Sequence, residues 1–179
     1  MKTLKEIFYS GGFELFPTDK ETVHSYLDKY EQLFSKFKNE KINIFELGVQ
    51  YGGSLKLWSN YFNNAKIIGY DINLTLKPFM INNRCEYKLR NLYDIKPDEF
   101  KNNPLTIAID DGSHILKDQI HFIKIIYPQI VDGGLLIVED IQDIDNQMNE
   151  FVKLKIPFIV IDLRHIKNRY DDVLLIFRK

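Results

Sequence analysis

Ile109-Asp110-Asp111-Gly112-Ser113-His114 sets two carboxylates and an imidazole within five residues, at the end of the apolar run Thr106-Ile107-Ala108-Ile109. These side-chain types hold a hard divalent cation or move a proton near neutral pH, so the segment is equipped for acid-base or metal-assisted chemistry. A second acidic pair, Glu139-Asp140, closes the run Leu135-Leu136-Ile137-Val138. Upstream, Glu46-Leu47-Gly48-Val49-Gln50-Tyr51-Gly52-Gly53-Ser54 reads as a glycine turn between strand and helix, where missing side chains let a ligand approach the backbone. Glu46, Gly48, Gly52 and Ser54 are its candidate ligand contacts. It departs from a regular G-x-G-x-x-G, and an acid before the first glycine suits a cationic nucleoside better than a pyrophosphate. Asp71 ends another apolar run 19 residues after Gly52, where a carboxylate can accept hydrogen bonds from both hydroxyls of a ribose. Within Arg90-Asn91-Leu92-Tyr93-Asp94, Asn91 is the residue assigned to an adenine edge, and Asp110 either joins the nucleoside site or orients its own loop.

The elements that must position these groups follow from periodicity. Thr18 or Asp19 can cap a helix with apolar positions Val23, Tyr26, Leu27, Tyr30, Leu33, Phe34 and Phe37, and Ile42 to Gly48 follows as a short β-branched strand. A helix from Gly52-Gly53-Ser54 turns Leu55, Trp58, Tyr61 and Phe62 inward. Strands are predicted at Lys66 to Ile72, Glu86 to Leu89, Thr106 to Ile109 and Leu135 to Val138, with a helix carrying Ile120, Ile123, Ile126, Tyr127 and Ile130 before the last of these. Near-continuous apolar strands alternating with helices imply a parallel sheet covered on both faces. Phe158 to Ile161 and Val173 to Phe177 lack a crossover helix between them and are predicted to pair antiparallel. The polar strand ends then converge on one edge of the sheet, where open α/β sheets bind ligands.

Composition narrows the classes of function. The chain has 179 residues and a net charge of −1, from 24 Lys+Arg against 25 Asp+Glu, which fits one domain over 1-179 with a helical segment at 1-40 and a Rossmann-like core at 41-179. The balanced charge lacks the basic footprint of a nucleic-acid binder. Cys85 is the single cysteine, which excludes an internal disulfide and a Cys-based zinc cluster and suits a reducing compartment. No stretch approaches the roughly 18 apolar residues of a membrane span, so the expected location is cytoplasmic, with no membrane partner.

Seven strands in this arrangement resemble the class I S-adenosylmethionine-dependent methyltransferases, which implies strand order 3-2-1-4-5-7-6 with the seventh antiparallel. Asp110 to His114, Glu139 to Gln142, and Thr18-Asp19-Lys20 ahead of His24, Tyr26 and Tyr30 are similar to the sugar O-methyltransferases typified by the mycinamicin macrolide enzymes, some relatives of which carry the label cephalosporin hydroxylase. The resemblance implies methyl transfer from S-adenosylmethionine to a hydroxyl of a sugar or glycosylated small metabolite in natural-product or carbohydrate tailoring. It also implies a divalent ion, usually Mg2+, on Asp111 and Asp140, with His114 as general base. A homo-oligomer is compatible with it. Two other readings of the residues are a non-catalytic nucleotide-binding Rossmann-like protein and an NAD-dependent oxidoreductase. Trp58 and the Tyr26, Tyr30, Phe34 stripe are expected in the core, His121 on a helix surface, and His165 to Arg169 in a solvated hairpin connection.

Overall fold

The computed structural model describes residues 2–14, 17–73 and 83–179. Its sheet contains β1 (Asn43–Leu47), β2 (Lys66–Asp71), β3 (Cys85–Leu89), β4 (Leu105–Asp110), β5 (Ile130–Val138), β6 (Phe158–Asp162) and β7 (Val173–Arg178), in the order β3-β2-β1-β4-β5-β7-β6. The first five strands are parallel, while β7 runs antiparallel to both β5 and β6, as the sequence predicts. Helices α1 (Leu4–Tyr9), α2 (Leu27–Phe34), α3 (Gly53–Tyr61), α4 (Leu116–Ile126), α5 (Ile144–Val152) and the short α6 (Arg164–Lys167) surround it.

Side chains alternate across the pleat, and that alternation divides the core into two layers. Ile107, Ile109, Leu135, Ile137, Leu174 and Ile176 pack on the face covered by Tyr30, Phe34, Trp58 and Tyr61. Ala108, Leu136, Val138, Leu175 and Phe177 pack on the opposite face against Phe122, Ile123, Ile126 and Phe151. The central strands are therefore apolar on both sides, and polar groups can be placed only at their ends. No described helix is long and apolar enough to cross a membrane.

Two boundaries and the set of helices differ from the sequence expectation. Neither Thr18 nor Asp19 caps α2, which begins at Leu27; the Asp19 carbonyl instead accepts from the Val23 and His24 amides and closes a turn, leaving Val23 exposed. Ile130 belongs to β5 rather than to the preceding helix, because α4 stops at Ile126 and a 3₁₀ turn through Pro128 intervenes. The helices α1, α5 and α6 are additional to the predicted ones. Asp143 caps α5 by accepting from the Asn146 amide, and only Ile144 and Phe151, two turns apart, are buried, so its apolar stripe is too sparse to register in the sequence.

Candidate active site

At the reversal point between β1 and β4, the turn after β1 is organised by one carboxylate. Asp71 Oδ2 accepts from the amides of Val49 and Gln50, each at 2.8 Å, and its Oδ1 accepts from the Asn73 amide at 2.8 Å. Gln50 is held at φ +44° by this arrangement, and Gly52 at φ +77° starts α3. Gly48 (φ +84°) has a second role, since a Cβ there would lie 1.8 Å from the Asp111 carbonyl oxygen. Its bare backbone lets the loop after β4 lie against the loop after β1, and the Asp111 amide donates to the Leu47 carbonyl at 2.8 Å. The same glycine thus shapes the nucleoside turn and seats the acid beside it. Gly48→Ala is expected to lose at least about 3 kcal/mol of stability, because left-handed strain adds to a collision with backbone that cannot step aside. Thermal or urea unfolding measures this.

A cavity of about 320 Å³ opens between these loops, lined by Gly48, Gln50, Asp71, Asn91 and Tyr93 on one side and by Asp110, Asp111 and His114 on the other. Six residues singled out in the sequence, Gly48, Asp71, Asn91, Asp110, Asp111 and His114, reach this one space. Glu46, Gly52, Ser54 and Asp140 do not line it. Glu46 is fully buried beneath the turn, where its Oε2 accepts from Trp58 Nε1 at 3.0 Å, and Ser54 is buried beside it. These two are supports of the turn rather than walls of the cavity. Asn91 Oδ1 accepts from the Tyr93 amide and Asp110 Oδ1 from the Gly112 amide, so each also orders its own loop.

Beside the cavity lies a concentration of titratable groups. One ligand atom from each of Asp111, His114 and Asp140 falls within 4.8 Å of the others, with His114 Nε2 3.7 Å from Asp140 Oδ2. His114 (φ +58°) and Asp140 (φ +54°) both adopt the left-handed region that non-glycine residues avoid. Strain of about 1 to 3 kcal/mol per residue persists only where the surroundings over-determine it, and such positions cluster at functional sites. His114 Nδ1 is buried without a hydrogen-bond partner. Two carboxylates and an imidazole nitrogen converging on one point are a donor set that fits a divalent cation.

Burial pushes the Asp140 carboxyl up to about 7, with Asp111 adding repulsion, and burial likewise pushes Glu46 and Asp110 up to about 7 and Glu139 well above the carboxylate range. Groups whose folded values are raised bind protons more tightly than in the unfolded chain. Their contribution is complete below the unfolded carboxyl range of about 4 and is lost as pH rises through about 7. The metal-free protein should therefore melt several degrees lower at pH 8 than at pH 5.5, and Mg2+ should restore part of the loss at pH 8. His24, held below the usual imidazole range by burial, opposes this trend as a single group. Scanning calorimetry at both values checks the sign.

The segment from Asp19 to Tyr30, which the sequence singles out only by its resemblance, lies across these acids and makes contacts that sequence reasoning did not assign. Lys20 Nζ is fully buried, 2.7 Å from Asp111 Oδ2 and 2.7 Å from both Glu139 oxygens. Burial opposes its charge, but Asp111, Glu139 and Glu46 outweigh that and raise its affinity for the proton. Tyr26 Oη donates to Asp140 Oδ1 at 2.6 Å, and Tyr30 Oη donates to Glu139 Oε1. His24 Nδ1 stands 3.4 Å from Asp140 Oδ1 and 3.5 Å from Asp172 Oδ1, its ring stacked on Tyr26. The connection expected to be merely solvated also holds this segment, for Lys167 Nζ donates to the Glu21 and His24 carbonyls. One signal was available: a tyrosine where phenylalanine would fill the core equally well implies a partner for its hydroxyl.

The chain is similar in sequence and in fold to known proteins. No protein-family model matches the chain. Over 139 residues, 70% of the chain, it is 31% identical to 8-demethyl-8-alpha-L-rhamnosyl tetracenomycin-C 2'-O-methyltransferase of Streptomyces olivaceus, covering 35% of that protein. It is 28% identical over 132 residues to mycinamicin VI 2''-O-methyltransferase of Micromonospora griseorubida, which amounts to 66% of the chain and 32% of the relative. The solved structure of the MycE methyltransferase from the mycinamycin biosynthetic pathway, in complex with Mg, SAH and mycinamycin VI, superposes with a TM-score of 0.75 at 18% identity. That superposition covers 99% of the chain and 54% of MycE, and it is a likeness of fold. The chain spans about a third of the length of the curated relatives it matches.

Proposed function

Starting from the class I methyltransferase fold and from homology to sugar O-methyltransferases of natural-product pathways, we propose that this chain is a metal-assisted methyltransferase acting on a hydroxyl of a sugar-bearing small molecule. The observation that carries the reading is that one cavity joins a nucleoside-type wall, Gly48 with Asp71, to an acid and imidazole wall, Asp111 with His114. A nucleotide-binding scaffold needs only the first wall.

In this reading, S-adenosylmethionine supplies an electrophilic methyl group, and a divalent ion on Asp111 and Asp140 supplies positive charge that makes the acceptor hydroxyl easier to deprotonate. The turn after β1, fixed by Asp71, orients the donor by its backbone. His114 removes the hydroxyl proton as the oxygen attacks, and Asp140, 3.7 Å from His114 Nε2, stabilises the imidazolium that results. Tyr26 and His24 hold Asp140 in place from behind. The surplus of carboxylates favours a cationic donor over NAD, whose pyrophosphate they would repel.

Incubation with S-adenosylmethionine, Mg2+ and a panel of sugars, glycosylated metabolites and nucleotide sugars should yield a product heavier by one methyl group by mass spectrometry. Failure of every acceptor together with failure to bind S-adenosylhomocysteine would defeat the reading. Asp71→Ala is expected to weaken S-adenosylhomocysteine binding by roughly 1.5 to 3 kcal/mol, since it removes a charged acceptor and releases the amides of Val49 and Gln50. Calorimetric titration measures it, and an unchanged affinity would remove Asp71 from the donor site.

A further inference from the structure

One chain of hydrogen bonds joins the two walls of the cavity. From the 3₁₀ turn Leu92–Asp94, Tyr93 Oη donates to Asp118 Oδ1 at 2.5 Å; Ser113 Oγ donates to Asp118 Oδ2 at 2.7 Å and accepts from the Ile115 amide at 3.3 Å. Tyr93, Ser113, His114 and Asp118 all line the cavity. His114 thus sits between two residues, Ser113 and Ile115, that are joined through a single hydroxyl, and that hydroxyl is anchored on a carboxylate shared with Tyr93. Resting on the reading of His114 as the group that removes the acceptor proton, we propose that Tyr93 is a positioning residue, which acts through Asp118 and Ser113 to tie the His114 loop to the nucleoside wall.

The start of α4 departs from what the helix alone would need. Ile115 is its N-cap and has no side-chain acceptor, and a carboxylate at the position of Asp118 in the first turn can reach back to the N-cap amide. Ser113 has taken over that amide. Both Asp118 oxygens are thereby free for other donors, one in the loop and one across the cavity. The Tyr93 and Ser113 hydroxyls hold the Asp118 carboxyl below its usual range, and Asp118 holds the Tyr93 phenol above its own, so the bridge persists through neutral pH. Tyr93 is 51% exposed, and a hydrogen bond so open to water adds little to the stability of the fold. What it fixes is place. His114 keeps φ +58°, a strained conformation from which an untethered loop would relax. Because a displacement of about 1 Å can cost about 100-fold in rate, a bridge with a small effect on stability has a large one on turnover. The Tyr93 ring is held separately, by the His121 ring at 4.6 Å between centroids and by Lys117 Nζ 5.9 Å from its own centroid.

Tyr93→Phe removes the hydroxyl and leaves the ring that walls the cavity. It should lower kcat about 10- to 100-fold while acceptor KM and S-adenosylhomocysteine affinity stay within about twofold. Its melting temperature should stay within about 2 °C of wild type, which separates lost placement from lost fold. Asp118→Ala should lose at least as much turnover, and adding Tyr93→Phe to it should lower turnover no further, since the phenol then has nothing to act through. Nuclear magnetic resonance of histidine-labelled protein supplies a readout that needs no acceptor. The His114 imidazole signals, identified by their loss in His114→Asn, should move or broaden in Tyr93→Phe, while those of His24 and His165 stay in place. Wild-type turnover in Tyr93→Phe, unchanged His114 signals, or a full second loss in the double variant would each overturn this inference and leave the proposed function standing. A wild type that neither binds S-adenosylhomocysteine nor methylates any acceptor overturns both together.

Discussion

Exhaustive chelation should stop methyl transfer, added Mg2+ should restore it, and Asp140→Asn should retain no more than about one-hundredth of wild-type turnover at saturating Mg2+. Asparagine keeps the shape of the side chain, tolerates a positive φ and still accepts from Tyr26, so the loss reports the missing charge rather than a broken fold. The pH dependence has a definite sign. Asp140 must be ionised to hold a cation, and burial places its carboxyl at about 7, so below that value a proton competes with the metal. Mg2+ affinity should thus rise by up to about tenfold per pH unit toward 7 and level off above it. Near pH 7, binding should release protons, which calorimetry in two buffers of different ionisation enthalpy detects. Full turnover after chelation, or affinity independent of pH between 5.5 and 7, would dismiss Asp140 as a ligand.

Much of the scaffold was legible because the sheet is simple where it matters. Runs such as Thr106 to Ile109 and Leu135 to Val138 are apolar on both faces, as parallel strands between two helical layers must be, and each ends in an acid. Topology then brings Asp71, Asp111 and His114 to one edge with no further information. What the sequence hides is depth. Glu46 and Asp140 occupy strand ends equivalent to those of Asp71 and Asp111, yet Glu46 lies under the turn and Asp140 faces back toward Tyr26. No periodicity distinguishes an acid that lines a cavity from one that supports it. Lys20 is the sharper case, because an isolated lysine in a polar segment is ordinarily solvated. Only the tertiary fold, laying the segment before α2 over the ends of β1, β4 and β5, sets it among Glu46, Asp111 and Glu139.

His114 carries the other large expected effect. Its imidazole has one nitrogen 3.7 Å from Asp140 Oδ2 and the other buried without a partner, and it lines the cavity. A hydroxyl is a weak nucleophile while it keeps its proton, and a positioned base is worth about 10² to 10⁴ in rate. His114→Asn should lower turnover by that factor and leave S-adenosylhomocysteine affinity within about twofold. Asparagine is the informative replacement because φ +58° strains alanine and not asparagine, so a purely structural histidine would be spared in this variant. His114→Gly is equally free of strain and opens a space, so millimolar imidazole should return part of its turnover. The metal adds a further discrimination. Mg2+ prefers oxygen and leaves the imidazole free to act, whereas Zn2+ takes imidazole nitrogen readily and would draw His114 into the coordination sphere with Asp111 and Asp140. Zn2+ should accordingly bind more tightly than Mg2+ yet support little turnover, and His114→Asn should lose most of that preference for Zn2+. If His114→Asn turns over at the wild-type rate with Mg2+, the proton leaves by another route and the histidine belongs to the loop.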